Sequence, residues 1–229
     1  METIIDLEND DLVCKFKKAK PFPHLVIDNF FDDKISKKIF DESLEIKTWI
    51  NTHKNKDSFI NNRVVADYAE IKGSLKEVIN FFYSKKIITF MEKILNVPIF
   101  FDPNATRGGG IQRAINGAHM DIHLDNSWNP KLKAWTVANL LYYSSTNWLE
   151  EYNGHLELWN KKECIEKILP CNNRVVICAN TNESYHGYPK KIVAPENAFR
   201  QTFVLFYYSQ QPLVHMDKRE SALWFSNEN

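Results

Sequence analysis

The sequence predicts an α+β chain, mainly β, in which a β-barrel or jelly roll carries helices packed on its outside. Three observations predict it. Of the 229 residues, 44% are apolar and 13% aromatic, which supports a sizeable core and argues against disorder. One long stretch, Ser74 to Asn96, repeats apolar side chains at helical spacing. From Ile99 onward, short aromatic and β-branched runs alternate with turn residues, and many short strands after a helical region suggest a barrel or jelly roll.

The elements follow in chain order. Pro21-Phe-Pro-His-Leu-Val-Ile-Asp28 reads as an extended opening strand. Asp32 or Asp33 caps a helix that runs through Ile35, Ile39 and Phe40 to about Leu44. Residues 48–72 show no clean period and are expected to be mostly loop. In the next helix, Leu75, Val78, Ile79 and Phe82, then Ile87, Phe90, Met91 and Ile94, form an apolar stripe, and Pro98 stands just past its end. Strands are expected at Gly110–Ile115, His119–Leu124, Ala134–Tyr143, His155–Trp159, Arg174–Cys178 and Arg200–Tyr208. Gln211 to Asn229 is largely polar with a Trp224-Phe225 pair, a tail that packs back or stays partly disordered. The length suits one domain (1–229): a helical support region over 1–98, a β core over 99–209 and a tail over 210–229.

Composition bounds the function. Lys plus Arg and Asp plus Glu number 29 each, so the balance gives no support for a nucleic-acid or membrane-surface partner. The sequence holds no apolar run of membrane-spanning length, so no membrane span is expected. The start, METIIDLENDDLVCK, is acidic and lacks the apolar segment of a secretory signal. Cys14, Cys164, Cys171 and Cys178 form no CxxC pair, and reduced thiols in a cytoplasmic protein are the expectation. Nothing in the sequence indicates an oligomeric state.

The chemistry concentrates in Gly117-Ala-His-Met-Asp-Ile-His-Leu-Asp125. His123 and Asp125 are two apart on an expected strand, so both side chains take one face. His186, 61 positions after Asp125, offers a second imidazole. Two imidazoles and one carboxylate on one face leave the opposite side of an octahedral metal open, the arrangement of non-haem Fe(II) oxygenases. His119 and Asp121 make a second His-x-Asp pair four residues earlier, and strand periodicity alone does not choose between the two. Arg200 follows His186 by 14 residues and opens the last strong strand, with Thr202 on its face. An inward Arg in a barrel needs a buried anion, and Thr202 and the Tyr143 phenol can add hydroxyl donors. Tyr142, Trp148 and Trp159 are expected in the core, because aromatics dominate cores.

His-x-Asp, a distal His-Gly and Arg-x-Thr, in this order, resemble the 2-oxoglutarate- and Fe(II)-dependent dioxygenases of the prolyl-hydroxylase-like branch. The resemblance spans residues 21–209 and includes Phe22–Phe31, Asp102-Pro-Asn, Gly108-Gly-Gly110, Leu141-Tyr-Tyr143, Trp148–Gly154, Leu156-Glu-Leu-Trp159 and Ile168-Leu-Pro170. It implies a double-stranded β-helix, jelly-roll and cupin-like, with N-terminal helices outside. It selects His123, Asp125 and His186 as iron ligands, and Arg200, Thr202, Tyr143 and Asn139 as the 2-oxoglutarate site. His119, Asp121 and Arg113 become candidates on the substrate side. The implied cofactors are Fe(II), 2-oxoglutarate and O₂, with ascorbate as a stimulant. The implied reaction is hydroxylation of an unactivated C–H in a peptidyl or prolyl residue, a free amino acid or a small metabolite, with desaturation or cyclisation as the other outcome and a cupin-like metal-binding protein without turnover as a further reading. Two departures stand out: Ser144-Ser145 replace the usual Leu-Asn, and Asn153-Gly154 replace a double Gly. Halogenases of this superfamily carry Gly or Ala in place of the Asp; Asp125 is present, which favours hydroxylation.

Overall fold

A computed structural model describes residues 1–51, 60–102, 109–145 and 147–225. Pro103, Asn104 and Gly108 of the family-like segments, the middle of the 48–72 stretch and the last four residues of the tail lie outside the described residues. The N-terminal region supplies α1 (Asp10–Lys18), β1 (His24–Ile27), α2 (Asp33–Leu44), β2 (Trp49–Ile50), β3 (Ile60–Ala66), α3 (Gly73–Phe82) and α4 (Lys85–Leu95). The β-rich part holds β4 (Gly110–Leu124), β5 (Trp128–Asn129), β6 (Ala134–Tyr143), β7 (Leu156–Trp159), β8 (Cys164–Ile168), β9 (Arg174–Ala179), β10 (Tyr185–Tyr188), β11 (Arg200–Ser209) and β12 (Leu223–Phe225).

The strands run β1-β9-β6-β11-β4-β10-β7-β8, with β3 and β12 also on β4, β2 on β3 and β5 on β6. The long β4 is the hinge of the architecture. Its first part pairs with β11, from Ala114↔Arg200 to Gly110↔Val204, and its last part pairs with β10 at His123↔His186. Between them the chain turns at Gly117, whose φ of 78° lies in the left-handed region that glycine takes without strain. One strand thus joins the two ends of a single curled twelve-stranded sheet, and the fold is a double-stranded β-helix.

Alternation along β6, β9 and β11 separates two apolar layers. Leu140, Tyr142, Val175, Ile177, Phe203, Leu205 and Tyr207 face the helices, joining Leu75, Val78, Phe82, Phe90 and Met91 in one buried cluster. Leu141, Tyr143, Val176 and Cys178 face the other way, into the barrel, against Leu156 and Leu158. No helix among the described residues is long and apolar enough to cross a membrane, and all four cysteines are free.

Several elements differ from the sequence expectation. The Ser74–Asn96 helix is two helices, α3 and α4, broken at Tyr83-Ser84. The apolar spacing lengthens there, from Phe82 to Ile87, and the break restores the phase so that both stripes face the sheet. In the described part of the 48–72 stretch, expected to be mostly loop, β3 pairs along β4. The two strands expected at 110–115 and 119–124 are one. α1, β8 and β12 carry patterns too short or too mixed to read, and β12 exists only because β4 offers it a free edge.

Candidate functional site

His123 on β4 and His186 on β10 are directly paired across the sheet, their ring centroids 4.5 Å apart. Each ring is fixed by its Nδ1–H: His123 donates to the Asp121 carbonyl at 2.9 Å and His186 to the Ser184 carbonyl at 2.8 Å. That leaves both Nε2 atoms free to ligate. Asp125 follows the end of β4, with Oδ1 3.5 Å from His123 Nε2 and Oδ2 3.6 Å from His186 Nε2. The three side chains offer ligand atoms within 4.8 Å of one another and can hold a metal ion. The Asn139 amide donates to Asp125 Oδ2 at 3.0 Å. Burial alone would raise the Asp125 pKa, but His123, His186 and Asn139 outweigh it and hold the carboxyl well below its ordinary range. Burial and the neighbouring His123 push the His186 pKa down, with Asp125 opposing. An anionic carboxylate and a neutral imidazole are the states in which these groups bind metal.

Arg200 lies in the same cavity as these three residues. It is only 7% exposed, and β11 places it across from Ala114, with Thr202 across from Tyr143. Its Nε donates to the Gly154 carbonyl at 2.8 Å, Nη1 to Thr202 Oγ1 at 3.2 Å and Nη2 to the Tyr143 hydroxyl at 2.9 Å. All three partners are neutral oxygens, and among the described residues two of the guanidinium's five N–H bonds have no acceptor. Burial raises the Tyr143 pKa, with Arg200 opposing, so the phenol keeps its proton. Having accepted from Arg200, the Tyr143 and Thr202 hydroxyls each retain a hydrogen to donate. Gly154 is the residue kept from the expected double glycine, and a Cβ there would lie 3.1 Å from Ile192 and 3.4 Å from Arg200 Cδ. The departure at Ser144-Ser145 continues the β6–β11 pairing: Ser144 N–H donates to the Gln201 carbonyl at 3.1 Å, and Gln201 N–H to Ser145 Oγ at 2.7 Å.

The structure therefore gathers His123, Asp125, His186, Asn139, Arg200 and Thr202 on one cavity, with Tyr143 hydrogen-bonded at its wall. It does not bring His119, Asp121 or Arg113 there. Between Tyr188↔Met120 and His186↔His123, three steps along β4 oppose two along β10, a bulge. The extra residue flips the face, so Met120 lines the cavity with His123, and strict alternation of 119, 121, 123 and 125 fails. Arg113 points to the helix side. Its guanidinium lies between the rings of Trp49 and Phe199, 4.2 and 4.0 Å from their centroids, and donates to Gln201 Oε1 and the Ser43 carbonyl, each at 2.8 Å. Asn139 is on the cavity as expected, but its amide is committed to Asp125.

Other cavity residues escaped the sequence reading. Arg63, from the stretch expected to be loop, donates to Gln112 Oε1 at 3.0 Å and lines the cavity with it. Tyr188, two residues past His186, was legible in principle from the period of two. The C-terminal strand was not: Trp224 pairs with His123 on β4, and the two rings lie 4.5 Å apart. Ahead of it, Arg219 N–H donates to Ser127 Oγ at 2.7 Å and its Nη1 to Asn182 Oδ1 at 2.5 Å. This segment straps together the turns that follow Asp125 and precede His186.

The donor set suits Fe(II), which takes imidazole nitrogen and carboxylate oxygen and needs no thiolate. The buried Arg200, bonded only to neutral oxygens, together with an unpaired Tyr188 hydroxyl, suits a carboxylate ligand. Residues 109–208 match the family model described as the 2OG-Fe(II) oxygenase superfamily. No curated protein matches the sequence. Among solved structures, a Trichoplax adhaerens prolyl hydroxylase in complex with a hypoxia-inducible-factor peptide fragment is similar with a TM-score of 0.63 at 16% identity, over 87% of this chain and 88% of that one. A Pseudomonas putida prolyl-4-hydroxylase gives 0.59 at 10% identity, over 88% and 98%. HygX from Streptomyces hygroscopicus, with nickel, 2-oxoglutarate and hygromycin B bound, gives 0.59 at 12% identity, over 88% and 87%. HygX has also been solved with iron. The segment matched by that family model, residues 109–208, bears the His123–Asp125–His186 cluster and Arg200.

Proposed function

We propose that the protein is an Fe(II)- and 2-oxoglutarate-dependent hydroxylase that oxidises an unactivated C–H of an amino-acid-type substrate. One observation carries this reading: a His-His-Asp cluster with ligand atoms within 4.8 Å shares a cavity with a buried arginine that retains free donors. His123, Asp125 and His186 hold the metal, and Arg200 anchors the distal carboxylate of 2-oxoglutarate with Thr202 and Tyr143. Bound iron supplies O₂ activation and the oxidising power that no side chain of this chain has. The residues' own work is to bind and orient. The backbone carbonyls of Asp121 and Ser184 aim the two imidazoles, and Asn139 orients the carboxylate. Apolar Leu141, Leu156, Val204 and Phe206 keep the space between metal and anchor dry, which strengthens the Arg200–carboxylate attraction.

Both substrate sizes have precedent in the fold: the Trichoplax enzyme holds a peptide and HygX holds hygromycin B. The retained carboxylate at Asp125 supports hydroxylation over halogenation. An anaerobic titration with Fe(II) and then 2-oxoglutarate should develop the weak visible charge-transfer band of a chelated 2-oxo acid. Asp125→Ala should abolish Fe(II) binding. Arg200→Ala should keep the metal and lose about 2–5 kcal/mol of 2-oxoglutarate binding. A wild-type protein that binds Fe(II) but never develops the band would sink the co-substrate assignment.

A further inference from the structure

Tyr188 has a buried donor that no described residue uses. It lies two residues past His186 on β10, so both side chains face the cavity. Gly187 between them seats β10 hard against β4, where a Cβ would fall 2.6 Å from the Asp121 carbonyl oxygen. The strand therefore has little freedom to carry Tyr188 elsewhere. The ring is 2% exposed and lies 4.4 Å from the Arg200 guanidinium carbon. Its hydroxyl has no hydrogen-bond partner among the described residues. It interacts electrostatically with Arg63 and with the Tyr143 hydroxyl, which places it among the polar groups around Arg200. Tyr143 and Thr202 are both paired with Arg200, so the Tyr188 phenol is the unpaired member of this group. A buried hydroxyl without a partner is costly, and a ligand that accepts its proton recovers that cost on binding.

We infer that Tyr188 is a co-substrate-recognising residue whose O–H donates to the distal carboxylate of 2-oxoglutarate, beside Arg200. The inference rests on the co-substrate reading above and adds a selectivity device to it. The guanidinium supplies charge, and Tyr188 supplies a donor from a second strand, so a 2-oxo acid without the distal carboxylate leaves the phenol unpaired. The ring also forms the wall toward a neighbouring polar pocket lined by Glu157, Lys167 and Lys190, and so bounds the space open to the co-substrate.

The test compares Fe(II)-loaded wild type and Tyr188→Phe by anaerobic calorimetry with two ligands: 2-oxoglutarate and 2-oxopentanoate, which has the same chain length but no distal carboxylate. Phe keeps the ring over Arg200 and removes only the hydroxyl. The variant should bind 2-oxoglutarate about ten- to a hundredfold more weakly, the range for a hydrogen bond to a charged group. Its affinity for 2-oxopentanoate and for Fe(II) should stay within about twofold. Unchanged 2-oxoglutarate affinity would overturn the inference, and so would an equal loss for both acids, which would mark a general change of cavity shape. If wild type binds Fe(II) and neither acid, the co-substrate reading itself fails, a result separate from any effect of the substitution.

Discussion

Asn139 holds the carboxylate that the two imidazoles flank. Its amide is 3.0 Å from Asp125 Oδ2, and it sits on β6 across from Phe206 on β11, the strand that lies between β6 and β4. A carboxylate bonded this way loses little further rotational freedom when a metal binds. Asn139→Ala should therefore lower Fe(II) affinity about 10–100-fold while leaving the fold intact. A Fe(II) titration under argon checks this, and an unchanged dissociation constant would show that the two imidazoles orient Asp125 unaided. Arg200 presents the complementary case. Its three neutral partners fix the fork without neutralising it, so a buried positive charge is kept ready for an anion.

At the scale of elements, the site depends on how closely β10 lies against β4. Gly187 makes the approach possible, since a Cβ would sit 2.6 Å from the Asp121 oxygen and 2.8 Å from the Met120 oxygen. Both are backbone atoms and cannot rotate away. Gly187→Ala should cost about 1–3 kcal/mol of stability and should separate His186 from His123, weakening Fe(II) binding at the same time. Urea unfolding paired with a metal titration reads both; an unchanged midpoint would show that the strands have slack. The strap over 215–225 acts on the same two strands from outside. It joins the turn after Asp125 to the turn before His186 through Ser127, Asn182 and Arg219, and lays Trp224 on His123.

The whole molecule stands on the contact between the helical layer and the outer face of the sheet. Phe30, Phe31 and Phe81 pack ring on ring at 5.0–6.2 Å, Phe31 and Phe82 meet Tyr142 at 5.4 and 5.7 Å, and the Tyr207 hydroxyl donates to the Phe82 carbonyl at 2.7 Å. Phe82 is fully buried in this cluster. Phe82→Ala should cost about 3–5 kcal/mol by emptying a site far from the metal. On the proposed function, the fraction that stays folded should bind Fe(II) and 2-oxoglutarate as wild type does, because the cluster touches the back of β6 and the cavity with His123, Asp125 and His186 lies on the side its Asn139 and Leu141 face. Loss of metal affinity in folded Phe82→Ala protein, measured beside its denaturation curve, would show that the two faces are coupled.

The sequence by itself determined the parts that depend on local spacing. The α2 start at Asp32 or Asp33, the strands Ala134–Tyr143 and Arg200–Tyr208, and the facing of His123 with Asp125 and Arg200 with Thr202 all follow from periods of 3.6 or 2 and from capping chemistry. The order of His123, Asp125, His186 and Arg200 then pointed to the metal and anion chemistry. Tertiary structure decided what pairing creates. The β4 bulge, which turns Met120 inward and Asp121 away, exists only against β10, so a single strand's alternation could not reveal it. Arg63 reaches the cavity because β3 pairs with β4, and Ile60–Ala66 carries too irregular a pattern to announce a strand. Trp224 meets His123 because a strand's worth of backbone hydrogen bonds was open on β4. Spacing fixes which residues share a face; only the register between strands fixes which faces meet.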